Sequence, residues 1–163
     1  MATFDEHIKQ AQNNLKFLSS INDNTSVNTC LDWQVTVCFY AALHLVNAHL
    51  SKFNLQYRSH TNVKQALNPE QIVSLSKLPE DEYISYTSLQ MLSRRSRYLV
   101  NEKDGQTGAT SAAYTHEKHL AKAIRHLDRL TYYFQQRYTL IIPVVSLRCD
   151  GIKQEELKCL KSK

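Results

Sequence analysis

The run Asp32–Leu50, DWQVTVCFYAALHLVNAHL, is the feature that most narrows the folds open to this chain. Apolar side chains occupy almost every direction around a helix drawn through it, and such a helix belongs in the middle of a bundle. A length of 163 residues fits one domain with a normal core that needs neither metal nor disulfide staples. Three glycines and three prolines leave little room for the turns of an all-β fold. The fold expected is all-α, an up-and-down bundle of four to five helices over residues 1–138. Residues 139–163 form a short C-terminal extension that packs on the bundle, swaps onto a partner subunit or is mobile.

Periodicity divides the rest of the bundle. Thr3 with Glu6 makes a capping box, and Phe4, Ile8, Ala11, Leu15 and Leu18 recur every three or four residues, which predicts a first helix from Thr3 to Ile21. The all-round apolar helix follows from about Val27 to Phe53. Ser59 caps a short helix through Leu67, and Asn68-Pro69 is a cap and first-turn proline for another. Pro79 opens a helix with Glu80, Asp81 and Glu82 in its first turn and Arg94, Arg95 and Arg97 in its last, a charge order that suits the helix dipole. Asn101–Gly108 reads as a loop, and a long helix is expected from Thr110 to Tyr138. Its apolar stripe is Ala113, His116, Leu120, Ala123, Leu127, Leu130 and Phe134, and Lys118, Lys122, Arg125 and Arg129 form a basic row opposite. Leu140–Val145 is β-branched, and Ile152–Lys163 is a candidate short lysine-rich helix.

The four cysteines, Cys30, Cys38, Cys149 and Cys159, show no CxxC spacing and read as reduced thiols of an intracellular, cytoplasmic protein. Neither a secretory signal nor a membrane span is expected. Net charge is +5 but unevenly spread: residues 91–163 hold fourteen Lys/Arg against seven Asp/Glu, and residues 1–90 six against eight. The C-terminal half is the side to present to an anionic partner.

Two stretches carry more polarity than a core needs. Tyr40, His44 and Asn47 share one strip of the apolar helix, as hydrogen-bonded core groups or as a site. Ser93-Arg94-Arg95-Ser96-Arg97-Tyr98 ends another helix. Histidine and arginine on adjacent bundle helices make a chemistry-capable pair, since imidazole can serve as a near-neutral base and guanidinium as a fixed cation for a phosphate. The candidates are His44 or His60 as base and acid, Arg95 and Arg97 as phosphate clamp with Arg94 beside them, and Tyr40 or Tyr98 as orienting donor, with Asn47 a further ligand contact. His116 reads as a core or interface histidine, and His7, His49, His119 and His126 have no partner at useful spacing. No cofactor is implied, no metal-ligand spacing is complete, and neither a phosphate-cradling glycine loop nor a nucleophile elbow is present.

Ala11-Gln12-Asn13-Asn14-Leu15, Asp32-Trp33, Phe39-Tyr40-Ala41-Ala42-Leu43-His44, Ser59-His60, Tyr86 with Leu89, and Ser93–Tyr98 together resemble the bacterial HEPN-like proteins, over about residues 5 to 135. The resemblance implies a helical bundle that pairs into a homodimer and associates with nucleotides or RNA. Many members resemble metal-independent ribonucleases of toxin and phage-defence systems, where an Arg and a His four to six residues apart line a cleft between two protomers, and a cognate partner protein of unknown identity is a further expectation. No arginine here is followed by a histidine at that spacing. A binding module is therefore the first expectation, and a ribonuclease with a rearranged His/Arg site the second.

Overall fold

The computed structural model describes residues 2–99 and 114–163, and the fold is an all-α bundle with a short C-terminal extension. Its helices are α1 (Phe4–Asp23), α2 (Leu31–Ser51), α3 (His60–Leu67), α4 (Glu80–Tyr98) and α5 (Glu117–Tyr138). The extension holds β1 (Ser146–Leu147), a 3-10 turn at Gln154–Glu156, and β2 (Lys161–Ser162). None of the described helices is long and apolar enough to cross a membrane.

The apolar run sits where its composition requires: α2 packs against α1, α4 and α5, and Val35, Cys38, Phe39, Ala41, Ala42, Leu45 and Val46 are buried. Side-chain pairs give the directions. His7 meets His44 and Asn22 meets Gln34, so α1 and α2 are antiparallel; Ser85 meets His126 and Asp81 meets Arg129, so α4 and α5 are antiparallel. His49 packs on Phe134, while Leu31 and Leu120 line one pocket at the other end, so α2 and α5 run the same way. The bundle is up-and-down, with α3 in the long crossing from α2 to α4.

Local chemistry sets the boundaries. At α1, Thr3 Oγ1 accepts from the Glu6 N–H (3.2 Å) and Glu6 accepts from the Thr3 N–H (2.7 Å), the reciprocal box expected from the sequence. Helix α2 starts at Leu31, four residues later than periodicity suggests, because Asn24 Oδ1 accepts from the Ser26 N–H and its carbonyl from Val27 and Asn28, which ties residues 24–28 into turns. Its far end is closed by Asn54, whose left-handed φ of 57° lets the Leu55 N–H return to the Leu50 carbonyl. Ser59 caps α3 as expected.

The helix expected after Asn68-Pro69 does not form. Asn68 Oδ1 accepts from the Glu70 N–H, and the Ser74 and Ser76 hydroxyls both donate to the Ala66 carbonyl, so residues 68–78 are a chain of turns tied to the end of α3. The expected loop at Asn101–Gly108 and the start of the last helix at 110–113 lie outside the described residues. Within them α5 begins at Glu117, because the His116 N–H donates to His119 Nδ1 (3.0 Å) and caps the helix there. Of the two readings of His116, core or interface, the core one fails: the residue is an exposed cap of α5.

The extension lies along α1 and then α5. Gln12 donates to the Ile141 carbonyl, and Asn22 both donates to the Arg148 carbonyl (2.9 Å) and accepts from the Arg148 N–H (2.7 Å). The lysine-rich helix expected at its end is replaced by the 3-10 turn and the parallel pair β1–β2, with Ser146 opposite Lys161. The cause is Asp128 on α5. Its buried carboxylate accepts from the backbone N–H groups of Lys158, Cys159 and Leu160 at 2.8, 2.8 and 2.7 Å, which holds these residues out of a helix and seats Leu157 and Leu160 on the core.

Candidate functional site

One end of the bundle gathers the C-termini of α1 and α4 and the N-termini of α2 and α5, and the start of α3 reaches it from the side. Two helix N-termini bring positive dipole ends there, and the last turn of α4 answers its own negative end with arginines. Arg94, Arg95, Arg97, Lys118 and Lys122, five of the Lys/Arg of the basic half of the sequence, come from the α4 and α5 ends that meet there.

Two histidines lie in the field of these arginines. His60, the first residue of α3, packs its ring edge-on to Phe39 (centroids 5.4 Å apart). Burial lowers its pKa below the usual histidine value, and the Arg97 guanidinium lowers it further. His119, in the first turn of α5, is stacked on His116 at 5.6 Å. Burial pushes its pKa down to about 4, with added repulsion from Arg95, Lys118, His116 and Lys122. Both imidazoles are therefore neutral at pH 7, with arginine charge beside them.

The arginines differ in role. Arg97 is exposed, lies 5.2 Å from the Tyr98 ring and donates to the Ser93 carbonyl. Arg95 is more enclosed: Nη2 donates to the Tyr114 carbonyl (3.3 Å), and its buried Nε has no hydrogen-bond partner among the described residues. Arg94 is exposed on the same turn. The Ser96 and Thr115 hydroxyls pair at 2.9 Å and tie the end of α4 to the approach to α5. Tyr98 and Tyr114 are each about three-fifths exposed, so flat apolar rings stand next to the cationic groups.

The basic row of α5 divides. Arg125 pairs with Glu156 and donates to the Gly151 carbonyl, and Arg129 pairs with Asp81 at 2.6 Å, so these two hold the extension and α4. Lys118 and Lys122 face solvent at the cationic end.

The structure brings His60 to Arg97 and sets His44 elsewhere. His44 is half-buried in the α1–α2 seam, where its Nδ1 lies 3.1 Å from that of His7. Tyr40 is exposed one turn earlier and Asn47 half-buried one turn later on α2. The strip formed by these three therefore belongs to the α1–α2 surface, while Arg94, Arg95, Arg97 and Tyr98 belong to the cationic end. His119 had no signal in the sequence: Arg95, whose charge lowers its pKa, is 24 positions away and comes near only through the antiparallel α4–α5 packing.

The remaining titratable groups offer less chemistry. His49 is fully buried, with Nε2 donating to the Ser76 carbonyl (2.9 Å) and Nδ1 2.6 Å from the Tyr138 hydroxyl, a satisfied core pair. Burial pushes the Cys149 thiol up to about 12, with Glu117 adding to it, so it is no thiolate nucleophile at neutral pH. No group of three or more His, Cys, Asp or Glu among the described residues is placed to hold a metal ion. The open groove between Phe53, Tyr57, Gln65, Val73 and Leu75 has no charged residue or histidine in its walls.

Comparison with known protein families, with curated proteins and with solved structures gives no match to this chain.

Proposed function

We propose that this chain is a HEPN-like helical-bundle module that binds RNA or nucleotide phosphate at its cationic end. The observation that carries the reading is that His60 and His119, from α3 and α5, each lie in the field of an arginine from the last turn of α4. Clustered guanidinium and ammonium groups recognise phosphate oxygens, and the exposed rings of Tyr98 and Tyr114 offer faces for unpaired bases. A homodimer and a role in a toxin or phage-defence system are expectations of the HEPN resemblance.

The test is fluorescence anisotropy with a labelled single-stranded RNA, comparing wild type with an Arg97→Ala, Lys122→Ala double variant. Both side chains are exposed, so the variant keeps its fold. Binding should weaken by roughly tenfold, and the dependence of log K on log salt should become shallower by about 0.7 for each phosphate that the variant no longer neutralises. Equal affinity and equal salt slope in the two proteins would remove the assignment.

The ribonuclease reading is favoured by one specific feature, the neutral, exposed imidazole of His60 beside Arg97. In that reading His60 takes the 2′-hydroxyl proton and Arg97 holds the phosphate. Cleavage in EDTA that is abolished in His60→Ala while RNA binding persists would select it over simple binding.

A further inference from the structure

Away from the cationic end, the crossing from α2 to α4 stands out in two ways. Residues 52–78 hold Lys52, Arg58, Lys64 and Lys77 against the single acid Glu70, whereas the rest of residues 1–90 holds two Lys/Arg against seven Asp/Glu. The same crossing carries Ile72, Val73 and Leu75, exposed by 92%, 87% and 83%, so that each aliphatic side chain stands almost wholly in solvent. The turns that present them are pinned from inside, at the C-terminal end of α2. The Ser74 and Ser76 hydroxyls donate to the Ala66 carbonyl, His49 Nε2 donates to the Ser76 carbonyl, and the Leu78 N–H donates to the Leu67 carbonyl (2.9 Å). With the two serines held inward, the aliphatic residues beside them are left outward, on a fixed support.

We propose that this tip docks the protein on an anionic lipid surface, with Ile72, Val73 and Leu75 entering the boundary between headgroups and acyl chains while Lys64 and Lys77 meet lipid phosphates. Exposed apolar side chains gathered on one support mark an interaction site rather than ordinary surface. An aliphatic side chain finds no partner in RNA, whose bases stack on rings and whose phosphates seek cations. A fluid acyl boundary accepts such a side chain without a matching shape. A groove of about 670 Å3 continues the apolar surface from Val73 and Leu75 to Phe53, Leu55 and Tyr57, with no charged residue in its walls. The Tyr57 ring, apolar in body and polar at its tip, suits the same boundary.

The charge of the crossing selects anionic over neutral lipid, because Lys and Arg close to a negative leaflet are attracted within a Debye length of it. Of the acids that begin α1 and α4, Glu6 is taken up by the Thr3 box, Asp81 by Arg129, and Glu82 lines the groove between α4 and α5. Glu70 and Glu80 subtract from the four cations without cancelling them. Apolar entry therefore supplies the larger share of the binding and charge the smaller. Three side chains give a reversible hold on the surface, not a span.

Flotation of the purified full chain with vesicles of phosphatidylcholine alone, and of an equal mixture of phosphatidylcholine and phosphatidylglycerol, tests this. The wild type should float with the mixed vesicles and less with the neutral ones. Partition should weaken by at least about tenfold in an Ile72→Ser, Val73→Ser double variant, and by a smaller factor in Lys64→Gln, Lys77→Gln. All four side chains are exposed, so circular dichroism and melting temperature should match the wild type. The Arg97→Ala, Lys122→Ala variant should float as the wild type does. Absence of wild-type flotation, or equal flotation of Ile72→Ser, Val73→Ser, overturns the proposal. Loss confined to Arg97→Ala, Lys122→Ala places the lipid at the cationic end and equally overturns it. A wild type that does not float, and whose light-scattering mass falls from dimer to monomer in Ile72→Ser, Val73→Ser, gives the tip to contact between copies of the chain instead.

Discussion

Replacing Asp128 should release the end of the chain from the bundle, and the structure sets the size of the effect. Its carboxylate accepts three backbone N–H bonds, two at Oδ1 from Cys159 and Leu160 and one at Oδ2 from Lys158. Hydrogen bonds to a charged group contribute about 1.5–3 kcal/mol each. In Asp128→Asn the amide oxygen keeps the Oδ1 pair, but the NH2 group faces the Lys158 N–H, donor against donor. One charged bond disappears and two are weakened, an expected cost of about 2–3 kcal/mol. In Asp128→Ala either three donors are orphaned or the segment undocks. Undocking exposes Leu157 and Leu160, which are 8% and 1% exposed in the fold, at about 1.5–3 kcal/mol each. The cheaper route bounds the Ala variant at about 3–6 kcal/mol. Native-state hydrogen exchange of the Lys158, Cys159 and Leu160 amides reads this directly. Protection should drop by one to two orders of magnitude in Asp128→Asn, while amides in the middle of α2 change little. Unchanged protection at Leu160 would show that these bonds do not hold the extension.

Four further outcomes follow from buried polar groups. Burial lowers the folded-state pKa of His49 and of His126, and takes that of His119 down to about 4. The unfolded chain then binds more protons below about pH 6.5, so stability is complete above that pH and declines progressively as pH falls toward 4; urea unfolding that gives one free energy at pH 7.5 and 5.0 would contradict this. Tyr138→Phe leaves His49 Nδ1 without its 2.6 Å partner and should cost about 1–2 kcal/mol in the same assay. Tyr86→Phe has the opposite sign: the Tyr86 hydroxyl is buried with no hydrogen-bond partner among the described residues, so its removal should be neutral or stabilise by up to about 1 kcal/mol, and a destabilisation above that would reveal a partner. Thr131→Val on α5, whose buried hydroxyl is equally unpartnered among the described residues, should likewise leave the melting temperature equal or higher.

The helices and their hierarchy were legible in the sequence because they rest on short-range patterns. The Thr3–Glu6 box, the Ser59 cap, and the acidic start and basic end of α4 act within one or two turns, and the apolar run of α2 placed itself at the centre through its composition alone. What failed had two origins, one local and one distant in sequence. Asn68-Pro69 reads as a helix start, yet the Asn68 side chain has a competing bond to the Glu70 N–H, and the neighbouring serines are drawn to the Ala66 carbonyl. Ile152–Lys163 has helical composition, but a carboxylate about thirty residues earlier takes its N–H groups.

The sites divide along the same line. The arginines of α4 were visible as a cluster because they are neighbours in sequence, whereas the histidines in the field of Arg95 and Arg97 were not fixed by any spacing. By itself the sequence determined an all-α bundle, its central helix and a cationic half, since propensity, capping and hydrophobic period are properties of adjacent residues. Only tertiary structure decided that His60 lies in the field of Arg97, that His44 meets His7, and that Asp128 closes the chain end. Those partners lie 37, 37 and about 30 positions apart. Which of them meet depends on how the helices, the crossing segment and the chain end come together on one core, a consequence of packing the whole fold that no segment carries alone.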